Sequence, residues 1–308
     1  MIAGIQSLAM RALAARYDRN LVKQSLLDAS ARRPPRSTAG PLNYLLIGST
    51  DRAPPETGSR AAVVMIGHVA AGFDQAHLVA VPRHLRLEVP PYAATGDSGG
   101  VGLVSAALAG GEEADAARRL SAALAGLMDI RFDGAAIIDL DAIPRVIDLV
   151  GGVPVPTPLA SAQTGMLSRP GQQRIAGAEA RDYAGRHPAP DGDQDYHRRH
   201  QLLWQATVAR LAELDLVTNP LRLDQVARDI GSALVVDTNG LSLEELVGAL
   251  VNLRSRELSG VEVPVQPPTD GAPGHILTGA EAADLFGSLR EGDLESWARE
   301  NPRWVNRL

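Results

Sequence analysis

Short apolar runs alternate with longer amphipathic stretches along most of the chain. Four runs are rich in Val, Ile and Leu and are flanked by Gly, Pro or charged residues, so they predict β-strands. They are NYLLIG (43–48), AAVVMIGHVA (61–70), HLVAVP (77–82) and AAIIDLD (135–141). Other segments have apolar residues at helical spacing and predict helices. They are 112–128, 141–150, 200–214 and 241–255. This mixture indicates an α/β or α+β sandwich.

The two ends of the chain extend this pattern. Apolar residues at helical spacing predict one helix over residues 2–28, whose apolar run is too short and too interrupted to span a bilayer. RRPPRSTAGP (32–41) predicts a linker because proline cannot continue a helix, and the globular body is expected to begin near Leu42. VPVQPPTDGAPG (263–274) predicts an edge strand and a loop, and 279–290 predicts a closing helix.

Arginines flank the predicted strands. The runs at 61–70 and 77–82 are joined by AGFDQA, a connection of hairpin length, and are expected to pair antiparallel. Arg60 and Arg83 then lie at one edge of the sheet, and Asp51 and Arg52 join them if the first strand is also antiparallel to the second. Guanidiniums at a rigid edge suit a phosphate or diphosphate, because each donates two parallel hydrogen bonds. Solvated loop arginines are the alternative.

Composition limits the possible functions. The 308 residues are 45% apolar with a net charge of −6, so the protein is globular and any anion site must be local. Nucleic acid is therefore not an expected partner. The lack of cysteine excludes disulfides and thiolate metal sites. Lys23 is the only lysine among the 30 basic residues, so abundance of arginine alone is weak evidence for anion binding.

Two motifs invite an enzymatic interpretation. RDYAGRHPAPDGDQDYHRRHQ (181–201) offers imidazoles and carboxylates that could bind Zn²⁺ or another transition metal. The candidate ligands are His187, Asp191, Asp193, Asp195, His197 and His200. No HExxH motif accompanies them, so a solvated helix start is favoured. GDSGG (96–100), with Ser98, matches a serine-protease motif, but no suitable His and Asp precede it, and a loop is the favoured interpretation.

Five segments, taken in order, resemble the LytR-CpsA-Psr (LCP) family. They are PLNYLLIGSTDR, SRAAVVMIGHV, LVAVPRHLRLEVP, AAIIDLDAIPRVIDLVGGV and QQRIAGAEARDYAGRHPAPDGDQDYHRRHQ. The resemblance covers nearly all of residues 16–290. The preceding ARYDRNLVKQSLLDAS is similar to the segment that follows the membrane anchor in actinobacterial members.

This resemblance implies an α/β fold, an αβα sandwich with a central mixed sheet flanked by helices. It divides the chain into a juxtamembrane-type helix and linker (1–36) and an LCP-like domain (37–308). It implies a phosphotransferase that moves a glycopolymer from a polyprenyl-diphosphate carrier to peptidoglycan or another cell-wall acceptor, with the lipid tail in an apolar tunnel. The full-length protein is expected to be extracytoplasmic and membrane-associated through an upstream anchor, and the present chain to be soluble.

The resemblance also implies site residues. The arginines that match diphosphate-binding positions of the family are Arg52, Arg60, Arg83, Arg186 and Arg199. Arg83 and Asp193 are the expected catalytic residues. Mg²⁺ is the implied cofactor, held against the diphosphate by carboxylates.

Several positions depart from the family pattern. They are Thr50, Ala62, His84, Gly185 and Tyr196, of which the first three replace aspartates and the last two replace arginines. Asp51, next to Thr50, and His84 itself are the remaining metal candidates. Two functions therefore stay open: a working phosphotransferase with altered metal ligation, or a catalytically degenerate protein that binds a polyprenyl (di)phosphate-linked ligand as a carrier, scaffold or regulator.

Overall fold

The computed structural model describes residues 21–34, 40–50, 61–72, 75–92, 96–157, 171–185, 199–207, 210, 228, 231, 233–240 and 258–306. The strands within these ranges are β1 (Val22–Lys23), β2 (Leu42–Ser49), β3 (Ala61–Val69), β4 (Ala76–Ala80), β5 (Arg86–Val89), β6 (Gly100–Leu103), β7 (Gly134–Asp139), β8 (Val153–Thr157), β9 (Gly171–Ile175), β10 (Leu234–Asp237), β11 (Leu258–Glu262), β12 (Val265–Gln266), β13 (Ile276–Leu277) and β14 (Val305–Asn306).

The α-helices within the described ranges are α1 (Val104–Ala107), α2 (Glu113–Met128), α3 (Ile143–Leu149), α4 (Gly177–Gly185), α5 (199–207), α6 (Gly279–Glu291) and α7 (Leu294–Glu300), and a 3-10 helix spans Pro302–Trp304. The helices predicted over 112–128, 141–150 and 279–290 are confirmed as α2, α3 and α6. The described part of the helix predicted over 200–214 is confirmed as α5. The helix predicted over 241–255 lies outside the described residues.

Eight of these strands form a mixed central sheet in the order β1-β10-β7-β2-β3-β4-β11-β14. β3 is antiparallel to both β2 and β4, whereas β7 is parallel to β2 and β11 is parallel to β4. The four strands predicted from apolar runs are β2, β3, β4 and β7. The predicted α/β fold, a mixed sheet flanked by helices, is confirmed.

The two faces of the sheet are buried under different helices. Val64 and Val79 face a large core with α2, α6 and α7, whereas their neighbours Val63 and Leu78 belong to a smaller cluster on the opposite face. Alternation along a strand produces this division, and burial on both faces explains why the strands read as continuous apolar runs. On α2, Leu120 is fully buried, which contributes about 2 kcal/mol.

The N-terminal prediction is wrong over residues 21–28. This segment contains the two-residue strand β1, which pairs parallel with β10, and no helix. Asp237 holds it: one carboxylate oxygen accepts the amides of Leu26 and Leu27 at 2.9 and 3.2 Å, and Arg32 pairs with the same carboxylate at 2.7 Å. Leu26 and Leu27 are consequently buried in the large core. Residues 22–33 thus pack with the sheet, while the division of the chain at residues 36 and 37 stays a prediction.

A row of polar side chains crosses the large-core face of the sheet, near the start of β2, β4 and β11 and the end of β3. Asn43, His68, His77 and Ser259 are register partners on β2, β3, β4 and β11. His68 Nδ1 lies 2.7 Å from Asn43 Oδ1, and His77 Nδ1 lies 2.7 Å from Ser259 Oγ. Both histidines are buried, with ring centroids 6.3 Å apart. We call these four residues the polar row.

Candidate functional site

The end of β2, the start of β3 and the end of β4 meet at one edge of the sheet. Ser49 pairs with the first residue of β3, and the amide of Val81, just after β4, donates to the Val64 carbonyl at 2.9 Å. β7 is parallel to β2 and brings Asp139 beside Ser49. The antiparallel pairing predicted from the short connection is therefore confirmed. We call this group of strand ends the Arg83 edge, after the arginine that follows β4.

Arg83 lies in a turn with a fixed backbone. The Leu85 amide donates to the Pro82 carbonyl, and the Ser105 amide donates to the Arg83 carbonyl, both at 3.0 Å. The Arg83 side chain is half-buried, and its Nε is buried without a hydrogen-bond partner among the described residues. A buried N–H without a partner costs about 1–3 kcal/mol. An oxyanion that accepts from this group would remove that cost.

Two hydroxyl–carboxylate pairs lie at the same edge. Ser49 Oγ donates to Glu113 Oε1 at 2.5 Å, and Thr50 Oγ1 donates to Asp141 Oδ2 at 2.9 Å. The Asp141 amide in turn donates to Asp139 Oδ1 at 2.8 Å. Sequence reasoning did not select Glu113 or Asp141, because their hydroxyl partners are 64 and 91 residues away along the chain and only the packing of the fold brings them together. The sole signal was an aspartate at the end of an apolar strand.

Helix α5 crosses the opposite face, and its N-terminal end, which contains Arg199, lies toward the Arg83 edge. The Gln201 side chain donates to the carbonyl of Val261 on β11 at 3.0 Å, whereas Gln205, one turn later, donates to the Leu258 carbonyl at 3.2 Å. The helix therefore runs antiparallel to β11 and to its parallel neighbour β4. Residues before Gln201 accordingly lie toward the ends of these strands, where the Arg83 edge is.

An apolar cavity of about 260 Å³ lies between the sheet and helices α3 and α5. Ala136 and Ile138 line it from the sheet, and Trp204 lines it from α5. Thr207 also reaches the cavity, but its hydroxyl donates to a carbonyl of its own helix at 2.7 Å. Asp139, the last residue of β7, belongs to the lining and brings the cavity to the Arg83 edge.

The predicted site residues are only partly described. Arg83 is at the edge, and Arg199 lies toward it. The residues outside the described ranges are Asp51, Arg52, Arg60, Arg186 and Asp193, and their assignments stay predictions.

The described residues do not compose a magnesium site. His84 is exposed beside Arg83. Among the residues that can be described, no three His, Asp or Glu side chains form a group able to hold a metal ion. Of the alternative transition-metal ligands in 181–201, His200 is buried and the others lie outside the described ranges. The expectation of Mg²⁺ held by Asp51 and His84 therefore stays a prediction.

The GDSGG segment is an anchored loop. Ser98 is exposed, whereas Asp97 pairs with the buried Arg119 and accepts the Gly99 amide at 2.9 Å. Arg119 also lies over the Tyr92 ring, 5.5 Å from its centroid. The hydrogen bond from Arg119 lowers the pKa of the Asp97 carboxyl. Asp97 therefore fixes the loop, in agreement with the loop interpretation of the sequence.

The fold and the edge together define a class of α/β proteins in which an apolar cavity beside a mixed sheet reaches an arginine-bearing edge. The model of the LytR_cpsA_psr family matches residues 9–287. The chain therefore belongs to the LytR-CpsA-Psr family, as its segments predicted. No curated protein matches it. No helix in the described part of the chain is long and apolar enough to cross a membrane.

Solved structures share this fold at low identity. TagV from B. subtilis is 17% identical with a TM-score of 0.63, over 83% of this chain and 98% of that one. TagT bound to LI-WTA is 15% identical with a TM-score of 0.62, over 86% and 96%. The LytR-Csp2A-Psr enzyme from Actinomyces oris is 17% identical with a TM-score of 0.58, over 90% and 100%.

Proposed function

We propose that this protein binds a polyprenyl-diphosphate-linked glycan and transfers the glycopolymer to peptidoglycan or another cell-wall acceptor. One observation supports this most: the apolar cavity reaches the edge at which Arg83 Nε is buried and has no hydrogen-bond partner in the described part of the chain. A ligand with an anionic head and a hydrocarbon tail matches this arrangement. TagT, of similar fold, was solved with LI-WTA bound. We place the protein outside the cytoplasm, attached to the membrane by an upstream anchor of the actinobacterial type.

The volume of the cavity limits how much of the lipid tail it can enclose. A dry cavity of about 150 Å³ accommodates benzene, so about 260 Å³ accommodates roughly ten carbons, or two isoprene units, by the same measure. Each buried methylene contributes about 0.8 kcal/mol. We therefore assign the isoprene units nearest the diphosphate to the cavity.

The proposed reaction is a phosphoryl transfer. The acceptor hydroxyl oxygen attacks the phosphorus that bears the glycan and forms a new P–O bond. The P–O bond to the carrier breaks, polyprenyl phosphate leaves with the electron pair, and the hydroxyl proton passes to a base. Arg83 and Arg199 would stabilise the charge on the phosphoryl oxygens. Asp193 stays the predicted catalytic carboxylate, and no step is assigned to Mg²⁺.

A second function is favoured by the substitutions at Ala62 and His84, which replace aspartates of the family pattern. A protein without these carboxylates would still bind the lipid-linked diphosphate through arginines and the cavity. It would then act as a carrier, scaffold or regulator.

A turnover assay separates the two functions. The protein is incubated with a polyprenyl-diphosphate-linked disaccharide and peptidoglycan, with Mg²⁺ or with EDTA, and release of polyprenyl phosphate is followed. We expect release by the wild type and none by Arg83→Ala. Arg86→Ala is the matched control, because Arg86 pairs with the exposed Asp270 instead. Tight binding of the lipid-linked disaccharide without release of polyprenyl phosphate, whichever divalent metal is added, would exclude transfer and support the second function. Absence of binding would refute both functions.

A further inference from the structure

Gln201 joins helix α5 to two parallel strands at once. Its side chain is fully buried. Nε2 donates to the Leu78 carbonyl on β4 at 2.9 Å and to the Val261 carbonyl on β11 at 3.0 Å, and Oε1 accepts from Asn306 Nδ2 at 3.1 Å. Both amide hydrogens and the amide oxygen therefore have partners, so the amide has one favourable orientation.

Gly260 provides the space for this amide. It is the register partner of Leu78 in the β4–β11 pair. A Cβ at position 260 would lie 2.7 Å from Gln201 Oε1 and 3.0 Å from its Cδ. Gly260 does not have a left-handed backbone, so alanine could adopt its conformation. The room for Gln201 is therefore what requires glycine here.

The contact determines where the upstream residues of α5 lie. Arg199 is two residues before Gln201 on the side of the Arg83 edge, and Trp204 of the cavity is three residues after it. A shift of the helix at Gln201 would therefore move Arg199. We infer that Gln201 is a positioning residue for anion binding, which holds Arg199 in place relative to Arg83. This inference rests on the function proposed above.

Gln205 provides a matched control on the same helix. It is also fully buried, and it donates to the Leu258 carbonyl at 3.2 Å. It lies one turn farther from the Arg83 edge and does not line the cavity. Gln205→Leu thus removes a comparable contact between the same helix and β11 without changing the attachment next to Arg199.

The test is a calorimetric titration with inorganic diphosphate. Because a misplaced charge-assisted hydrogen bond is largely lost, Gln201→Leu should weaken binding about tenfold. Gly260→Ala should do the same by displacing the glutamine, whereas Gln205→Leu should change affinity by less than about twofold. Thermal unfolding of each variant checks that the fold persists, and Gly260→Ala is the test variant if Gln201→Leu does not fold.

A double-mutant cycle distinguishes positioning from general loosening. If Gln201 acts through Arg199, Gln201→Leu should have almost no further effect on affinity in the Arg199→Ala background, but its full effect in the Arg83→Ala background. An undiminished effect with Arg199→Ala, or no effect of Gln201→Leu and Gly260→Ala on affinity, would overturn the inference alone. If neither Arg83→Ala nor Arg199→Ala changes affinity, the proposed function fails, and the inference fails with it.

Discussion

The polar row predicts a specific dependence of stability on pH. His68 is completely buried, and its Nε2 has no hydrogen-bond partner among the described residues. Burial, followed by the neighbouring His77 and Arg33, lowers the pKa of His68 to about 4. Two carboxylates lie near the row: Asp133 accepts the Asn43 backbone amide at 2.8 Å, and Glu295 on α7 lies 3.8 Å from His77 Nε2. His68 is therefore neutral in the folded protein at pH 7.

The sign of the effect follows from this depressed pKa. Below about pH 6.5 the unfolded chain binds a proton at position 68, whereas the folded protein does not until about pH 4. Stability from this residue is thus fully present above pH 6.5 and is lost as pH falls toward 4. The complete difference amounts to about 3 kcal/mol by linkage.

The perturbation is His68→Asn, whose side-chain amide nitrogen replaces Nδ1 as the donor to Asn43 Oδ1 and which cannot titrate. Urea unfolding between pH 7 and pH 4.5 should show a loss of stability about 2–3 kcal/mol larger in the wild type than in the variant. Proton NMR of the His68 ring should give a midpoint near 4. Equal pH dependence of the two proteins, or a midpoint near 6.5, would refute the reasoning.

Two further predictions concern residues that fix segments outside the site. Asp237→Asn should lower the free energy of unfolding, measured in urea, by about 2 kcal/mol, because it weakens the contacts with Arg32 and two backbone amides. The control is Asp270→Asn, which changes an exposed ion pair and should leave the free energy of unfolding almost unchanged. Arg119→Gln should speed hydrogen exchange of the Asp97 amide about tenfold by releasing the loop, and an unchanged rate would contradict the anchoring role.

Apolar runs and connection lengths were sufficient to predict the strands around the site. The short connection after β3 also predicted the edge that contains Arg83, because an antiparallel pair brings the start of one strand beside the end of the other. The resemblance to the family identified Arg83 and Arg199 as candidate diphosphate-binding residues. These are features that local sequence encodes.

Features that depend on distant partners were not predictable in this way. Residues 21–28 have helical spacing, yet Leu26 and Leu27 donate their amides to Asp237, more than 200 residues away. The pairing of Ser49 with Glu113 likewise depends on how α2 packs on the sheet. The apolar spacing of α5 fits either a packed core or a cavity wall, and only the packing shows that Trp204 faces a cavity.

The most direct test of the central claim is a calorimetric titration of the protein with geranylgeranyl diphosphate. The account predicts that Arg83→Ala weakens binding tenfold or more, as expected for loss of a charged hydrogen bond. Ala136→Leu fills part of the cavity. It should weaken binding of the lipid diphosphate but leave the affinity for inorganic diphosphate unchanged. Wild-type affinity for the lipid diphosphate in both variants would contradict the account.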